Sequence, residues 1–462
     1  MPSLDLEKTQ VQVDVGRDQS LEPKTEEDRT VNPIHYFFMW TGDGVNMGNM
    51  TLGASIVVAG VATLNIFQTL AAALITVGII SLIFVLNDRP GYKLGIPYVV
   101  QLKVSFGEKG TVISSLLRGL PAVIWYGVQT WIGGTALNEI MKVATGGAFD
   151  SIPICFVALM LVQIVLSMYG FTSVKWVETL ATVIVMLSLI YIFIILLNDY
   201  SGVIAENMVH VDGSWGLPFL GIIMVLLGNY AAIFLSASDY SRELKTGMSG
   251  KKRGLLYFSP IVLSYGFVIV VGAMLAAATG ITNPAKAFPV VLDNSFITIF
   301  TSVFIVVSAV ATNMVANIIP PIYVAQLLTK SKLKYKAAAI LTGLLALISF
   351  PWLLVQESSA EGLALFVLIY SAFLGPIVSI LLIEYFILRK KKVTVAEMYK
   401  EDGQFAGYNP CAILAMCIGA GFAFLSVDLT WVIGFVVAGI SYIILMKYAF
   451  NNSNFKKGTI FE

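Results

Sequence analysis

The sequence has little charge and few of the residues on which most enzymes depend. Only 12% of its 462 residues are charged, about half the share found in soluble domains. It contains no HExxH, GxSxG or Walker-type motif, so it lacks the sequence signs of a metalloprotease, a serine hydrolase or a nucleotide-binding loop. We therefore expect no enzymatic activity and no organic cofactor.

Cysteine and histidine are also scarce. Cys155, Cys411 and Cys417 all lie in apolar stretches and show no metal-ligand spacing. We interpret them as small core residues rather than disulfide partners or metal ligands. The two histidines, His35 and His210, are far apart in the sequence.

Hydrophobic residues make up 57% of the chain, and the mean hydropathy is +0.83. One aqueous core could not bury this much apolar surface, so the chain must use lipid as a solvent. Apolar runs long enough to cross about 30 Å of hydrocarbon recur along it. We predict an all-α polytopic membrane protein with about twelve transmembrane spans, near 34–60, 63–86, 113–138, 151–169, 177–197, 217–239, 256–280, 296–320, 336–355, 363–388, 409–427 and 429–449.

The basic residues indicate the orientation of these spans. All but two of the 29 basic residues, Lys142 and Lys286, fall in or beside connections on one side of the predicted membrane. The positive-inside rule places that side in the cytoplasm, with both termini. Residues 1–32 are polar and lack the apolar centre of a signal peptide, so we predict a disordered cytoplasmic tail. Residues 451–462 are predicted to form a second cytoplasmic tail of this cell-membrane protein.

Two predicted spans contain unusual numbers of helix-breaking residues. The first has four glycines and two asparagines between Trp40 and Gly53, and the sixth contains Gly216, Gly221, Gly228 and Asn229. Glycine costs a helix about 1 kcal/mol relative to alanine, and an unwound backbone survives at membrane depth only where it lines a protein cavity. The alternative is that the glycines only allow close helix packing.

Interrupted helices at matching positions of two halves indicate an inverted-repeat transporter. Because the two abnormal spans lie five helices apart, the halves would have opposite topology. We predict a first repeat over 33–200, a second over 213–390, and two further helices over 405–450.

Polar side chains within the spans indicate the solute. Trp125 and Gln129 share one face of the third span, and Asn313 and Asn317 share one face of the eighth. An indole beside a carboxamide suits a flat ring that carries N–H and C=O groups. The alternative is that these side chains pack or hydrogen-bond neighbouring helices.

One acid, Asp43, lies well inside a predicted span and beside the first break. Acids at this depth are often proton carriers or cation ligands, although a salt bridge or exposure in a vestibule is also open. Glu139, Glu178, Asp239 and Glu384 are nearer to predicted helix ends. We interpret these four as structural or gating charges that water can reach.

Several motifs, in order, resemble those of the nucleobase–cation symporter family, which includes hydantoin, allantoin, uracil and cytosine permeases. The motifs are Trp125-Tyr-Gly-Val-Gln129-Thr, Ser238-Asp-Tyr-Ser-Arg242, Thr312-Asn313 with Asn317, and Gly375-Pro376 with Glu384-Tyr385. The resemblance runs from about residue 33 to 450. It implies a leucine-transporter-like fold of five plus five helices in inverted repeats, with two extra helices.

The resemblance also implies the substrate contacts. The substrate would lie between Trp125 and an aromatic residue of the sixth span, here Tyr230. Gln129 and Asn317 match the family's hydrogen-bonding amides. We expect further contacts from Asn46, Asn229 and Asn313.

A sodium site is implied where the first break meets the eighth span. Its ligands would be the carbonyl groups of Gly42, Val45 and Ser308 and the hydroxyl of Thr312, whereas Ala311 replaces a second hydroxyl. Because a hard cation needs a full set of oxygens, we expect either weak sodium coupling or proton coupling through Asp43.

Together these features predict a secondary symporter that imports a small heterocyclic amide, such as allantoin, a hydantoin, uracil or a related nucleobase, by alternating access. Its partners would be this solute and the lipid bilayer, without nucleic acid, and it would function as a monomer. The alternatives are a carrier of the same fold for an amino acid or amine, and a receptor that does not transport.

Overall fold

The computed structural model describes residues 19–291, 295–354, 360–400, 402–426, 429–449 and 453–462. Residues 1–18 of the predicted tail therefore lie outside the described part. The first half contains a short hairpin, β1 (Val57–Val58) with β2 (Val61–Ala62), among its helices. These helices are α1 (Pro33–Gly44), α2 (Met47–Ala54), α3 (Ile66–Asn87), α4 (Arg89–Leu94), α5 (Tyr98–Ala144), α6 (Ile152–Ser167), α7 (Phe171–Asp199) and α8 (Ser201–Ile204).

The second half is also helical in its described residues. Its helices are α9 (Leu217–Leu235), α10 (Ala237–Ser241), α11 (Gly250–Ile261), α12 (Phe267–Thr279), α13 (Pro284–Val291), α14 (Ser295–Thr312), α15 (Ile319–Leu328), α16 (Tyr335–Leu347), α17 (Pro351–Leu354), α18 (Ala360–Leu382), α19 (Val395–Tyr399), α20 (Pro410–Ala423), α21 (Thr430–Tyr448) and α22 (Ser453–Lys456). Short π-helical turns at 262–266 and 313–318 join α11 to α12 and α14 to α15.

The described residues include eight helical stretches that are long and apolar enough to cross a membrane. These are Ile66–Leu94, Tyr98–Ala144, Phe171–Asp199, Leu217–Leu235, Gly250–Thr279, Ile299–Leu328, Ile369–Leu388 and Thr430–Tyr448. Three shorter apolar helices, α6, α16 and α20, and the broken pair α1–α2 accompany them. The all-α membrane fold is thus confirmed, and its helices are consistent with twelve spans.

The first predicted span, 34–60, is broken where its composition predicts. Helix α1 ends at Gly44, and Val45 (φ −101°, ψ 100°) is extended. Asn46 (φ −149°, ψ 168°) is also extended and caps α2 with its side chain. The hairpin β1–β2 then follows, so the span does not remain helical to residue 60.

The sixth span is interrupted later than its glycines suggest. Gly228 and Asn229 lie inside the continuous helix α9. The helix ends at Leu235, Ser236 (φ −90°, ψ 25°) leaves the helical conformation, and the short helix α10 follows. Glycine composition therefore identified the interrupted span but not the position of the interruption.

The third predicted span, 113–138, is the middle of a longer helical stretch. Gly107, at φ 77°, bends α5 near its beginning. A Cβ atom here would lie 2.5 Å from the carbonyl oxygen of Gly407, and positive φ is strained for other residues. Hydrogen bonds from Asn409 N to Phe106 O (2.9 Å) and from Lys109 N to Gly407 O (2.9 Å) satisfy the backbone at the bend.

The described part of the N-terminal segment is packed, so the prediction of a disordered tail over 1–32 is wrong for residues 19–32. Arg29 is only 5% exposed and donates hydrogen bonds to Leu244 O (2.8 Å) and Tyr92 O (3.0 Å). Arg242 donates to Ser20 O at 2.8 Å. Polar composition misled the prediction because these arginines bind backbone carbonyl groups.

A buried ion pair holds α4 and α11 beside α1. Arg253 donates to both oxygens of Asp88, at 2.8 and 3.0 Å. Tyr257 donates to Asp88 (3.1 Å) and shares a 2.7 Å hydrogen bond with Tyr36. The guanidinium also lies 4.2 Å from the ring centroid of Tyr92. The charged groups are compensated on several sides, as burial requires.

We expect Arg253→Ala to destabilise the protein by roughly 3–5 kcal/mol, because it leaves the Asp88 carboxylate buried without its counter-charge. Lys142→Ala is the matched control, because Lys142 is 46% exposed in its pair with Asp150 and an exposed ion pair contributes little to stability. Thermal unfolding of the detergent-solubilised protein measures both variants. Equal losses of stability would contradict this assignment.

Candidate substrate and cation site

The break between α1 and α2 is closed by the side chains of two asparagines. Asn46 accepts a hydrogen bond from Asn49 N (3.0 Å), and Asn49 donates to Gly44 O (2.9 Å). Asn46 also donates to Asp43 O at 3.2 Å. Uncompensated backbone groups are costly in hydrocarbon, so these amides let the helix break inside the apolar interior.

The same break contacts α14. Asn46 donates to the hydroxyl of Thr312 (3.2 Å), and this hydroxyl lies 3.4 Å from Asp43 O. The four residues of the predicted cation site are all buried, namely Gly42, Val45, Ser308 and Thr312. Ala311 is also fully buried and supplies no side-chain oxygen. Thr312 therefore contacts the break directly. The Asn46 side chain is engaged in hydrogen bonds that stabilise the break.

Asp43 and Tyr230 meet, although the sequence assigned them separate roles. The hydroxyl of Tyr230 donates to Asp43 Oδ2 at 2.7 Å. Asp43 is 1% exposed, and its other oxygen, Oδ1, has no hydrogen-bond partner among the described residues. The Tyr230 ring packs 4.9 Å from the ring of Tyr265 and 6.2 Å from that of Phe84.

Asn229 links α9 to α2. Its side-chain nitrogen donates to Asn49 Oδ1 at 2.9 Å and lies 3.5 Å from the hydroxyl of Tyr265. Asn49 was not predicted to have a role at the site, although it lies only three residues after Asn46 at the break. The dipeptide Gly-Asn occurs in both spans, as Gly48-Asn49 and as Gly228-Asn229. The two asparagines of these dipeptides contact each other.

Trp125 and Gln129 lie on α5 as predicted, and they differ in what they bind. The indole of the half-buried Trp125 donates to the hydroxyl of Tyr370 at 3.0 Å. Gln129 is 7% exposed, and none of the described hydrogen bonds involves its carboxamide. Tyr370 was not predicted, because nothing in its apolar sequence surroundings marks it.

Asn313, which was predicted as a substrate contact, is hydrogen-bonded to neighbouring helices. Its side-chain nitrogen lies within hydrogen-bond distance of Gln163 Oε1 (2.8 Å), Thr130 Oγ1 (3.1 Å) and Tyr126 O (3.3 Å). Asn317 donates to Asn313 Oδ1 at 3.0 Å. Asn313 is thus fully engaged, whereas the side-chain oxygen of Asn317 is left for a further partner.

The four acids interpreted as accessible charges are more buried than predicted. Glu178, Asp239 and Glu384 are at most 1% exposed, and Glu139 is half-buried. Asp239 accepts a hydrogen bond from Tyr98 N (2.7 Å) at the beginning of α5, where a helix favours an anion. Glu384 binds Arg389 (2.6 Å) and Tyr442 (2.7 Å). Asp239 and Glu384 are therefore structural.

A family model described as a permease for cytosine/purines, uracil, thiamine and allantoin matches residues 23–449. The hydantoin permease of Microbacterium maritypicum is 25% identical over 442 residues, which cover 91% of this chain and 87% of that protein. The allantoin permease of Bacillus subtilis (strain 168) is 24% identical over 475 residues, which cover 96% of this chain and 95% of that protein.

A solved structure shows the same fold. It is Mhp1, a nucleobase-cation-symport-1 family transporter in a closed conformation with bromovinylhydantoin bound. The alignment has a TM-score of 0.83 at 23% sequence identity and covers 96% of this chain and 99% of Mhp1. The structure of a sodium-coupled sialic acid symporter is also similar to this chain, with a TM-score of 0.63.

We expect Asn313→Ala to lower the free energy of unfolding by about 1–2 kcal/mol, because it removes the partner of Gln163 Oε1 on α6 and of the Asn317 amide nitrogen. Asn317→Ala is the matched control on the same helix face and should lose less stability, since it removes one hydrogen bond. Thermal unfolding in detergent measures both. A larger loss for Asn317→Ala would reverse the roles assigned here.

Proposed function

The chain belongs to the family of permeases for cytosine, purines, uracil, thiamine and allantoin, and from this membership we propose that it imports a small heterocyclic amide together with a monovalent cation. Membership confirms the predicted family and the prediction of a transporter rather than an enzyme. Allantoin, a hydantoin, uracil or a related nucleobase is the proposed solute. The hydantoin and allantoin permeases among its relatives support this class.

The free carboxamide of Gln129 is the observation that carries the substrate proposal. The carboxamide has no protein partner among the described residues, so its donor and its acceptor are both available to a ligand. A cyclic amide presents N–H and C=O groups side by side, which match the two halves of a carboxamide. Trp125 lies one turn away on α5 for stacking, and Asn317 offers a further acceptor.

We propose that the ring lies between Trp125 and Tyr230, with Asn229 and Asn46 near its polar edge. Asn229 and Asn46 act mainly by fixing the break and α9, because their nitrogens already bind Asn49, Asp43 and Thr312. Tyr230 is held by Asp43. A substrate that contacts Tyr230 is thereby connected to the residues that flank the cation site.

The proposed coupling ion is sodium. The carbonyl groups of Gly42, Val45 and Ser308 and the hydroxyl of Thr312 would hold it, and oxygen donors of this kind suit a hard cation. The ion would supply a positive charge between α1 and α14. Proton coupling through Asp43 is the alternative, and the sodium dependence of uptake distinguishes the two.

Alternating access would follow from movement of one bundle against the other around this site. We propose that the repeats are residues 33–200 and 213–390, with 405–450 as an added pair of helices. The protein would reside in the cell membrane as a monomer, with both termini in the cytoplasm, as the distribution of basic residues indicates.

An amino-acid substrate is less compatible with the break. Carriers of amino acids bind the substrate carboxylate with free N–H groups at a broken helix. Here the Asn46 side chain already accepts from Asn49 N, so this N–H is not available to a carboxylate. A neutral cyclic amide avoids the conflict.

We expect Gln129→Ala to lower the affinity for the transported solute about tenfold, the effect of about 1.4 kcal/mol, and Trp125→Ala to lower it at least as much. Radiolabelled uptake with competition by allantoin, hydantoins, uracil and cytosine measures this. Trp215→Ala is the matched control, because Trp215 is 64% exposed and should leave uptake unchanged. Uptake that no cyclic amide inhibits, or that both site variants retain, would contradict the proposal.

A further inference from the structure

Helix α7 has one exposed face and one buried face, and Glu178 lies on the buried one. Large apolar residues at helical spacing form the exposed face, namely Trp176, Leu180, Val183, Leu187 and Ile194. The buried face contacts α1 and α14 and contains Val174, Ala181 and Val185 beside Glu178. An ionisable residue turned inward at membrane depth is a mark of function.

The carboxyl group of Glu178 lies directly against Gly42, one of the proposed cation ligands. A Cβ atom at residue 42 would overlap Glu178 Oε2 and would lie 3.2 Å from the hydroxyl of Thr182. Thr182 donates to Phe38 O at 2.8 Å, which fixes α7 against α1. The missing side chain of Gly42 therefore provides the space in which the carboxyl group of Glu178 sits.

Glu178 differs from the other buried acids in the described part of the chain. Each of those has at least one close partner: Asp43 with Tyr230, Asp88 with Arg253, Asp239 with Tyr98 N, Glu243 with Lys24, and Glu384 with Arg389. Neither oxygen of Glu178 has a hydrogen-bond partner among the described residues. A buried carboxylate in this position is very costly unless a positive charge accompanies it.

The proposed cation site also lacks one side-chain oxygen. Ala311 has no hydroxyl to offer, and the helix that carries it, α14, packs against α7 as well as α1. The two unpaired oxygens of Glu178 thus adjoin the junction of the helices that contribute the proposed ligands. A carboxylate there would restore the oxygen and would also neutralise the charge of a monovalent ion.

We propose that Glu178 is a ligand of the coupling sodium ion, contributing a carboxylate oxygen from α7 to the site between α1 and α14. The inference rests on the proposed function, because that function places the ion at this junction. Its chemistry predicts that sodium affinity depends on the charge of residue 178. The substrate residues on α5 should have no such influence when substrate is absent.

The test measures sodium binding to the purified protein in the absence of substrate. The readout is the unfolding temperature at increasing sodium concentration, at constant pH and with choline chloride keeping the ionic strength fixed. Sodium that binds only the folded protein raises its unfolding temperature. We expect Glu178→Gln, which keeps the shape but not the charge, to raise the half-saturating sodium concentration about tenfold or more. Glu139→Gln is the matched control and should bind sodium like the unaltered protein.

If Glu178→Gln does not yield folded protein, Glu178→Asp tests the position of the carboxylate instead of its charge, and the shorter side chain should raise the half-saturating concentration by about threefold or more. An unchanged sodium response in the variant that folds would overturn the proposal. So would an unaltered protein that responds to pH but not to sodium.

Gln129→Ala should keep the full sodium response. Glu178-dependent sodium binding without uptake of any cyclic amide would therefore refute the proposed substrate and not this inference.

Discussion

A broken helix in an apolar interior must find partners for the backbone groups that it frees, and the arrangement of this protein depends on how that requirement is met. Asn46 and Asn49 satisfy the ends of α1 and α2. The same two side chains reach outward, Asn46 to Thr312 on α14 and Asn49 to Asn229 on α9. Closing the break thus fixes the helices that surround it.

The polar side chains at membrane depth fall into two groups. In the first, the hydrogen-bonding capacity is used within the protein, as in Asn313 with Gln163 and Asp88 with Arg253. In the second, capacity remains, as in Gln129, the side-chain oxygen of Asn317, and Glu178. This unused capacity is the basis on which Gln129, Asn317 and Glu178 are proposed as ligand contacts, whereas Asn313 is bonded within the protein.

Sequence alone predicted the features that depend on local composition. Apolar run length gave the spans, and the four glycines and two asparagines of the first span gave its break. Gln129 was predicted as a substrate contact because it shares a helix face with Trp125. The family motifs led to the permease family that the comparison established.

The features that sequence missed depend on contacts between distant residues. Asn313 and Asn317 share one helix face and the same side-chain chemistry, and they differ in the contacts of Asn313 with Gln163 on α6 and with Thr130 on α5. Glu178 was predicted to be accessible to water because it lies near a predicted helix end. In the structure α1 packs over it, and its carboxyl group occupies the space beside Gly42. Residues 19–32 were predicted to be disordered because they are polar. In the structure Arg29 donates to Leu244 O, and Arg242 donates to Ser20 O within this segment.

We propose that the break couples substrate binding to cation binding, because Asp43 and Asn46 connect α9 and α14 across it. The most direct measurement is binding of a labelled cyclic amide to the purified protein over a range of sodium concentrations, with sodium binding measured at several amide concentrations. We predict that each ligand raises the affinity for the other by the same factor, as linkage requires. An amide affinity that stays the same with and without sodium would contradict it.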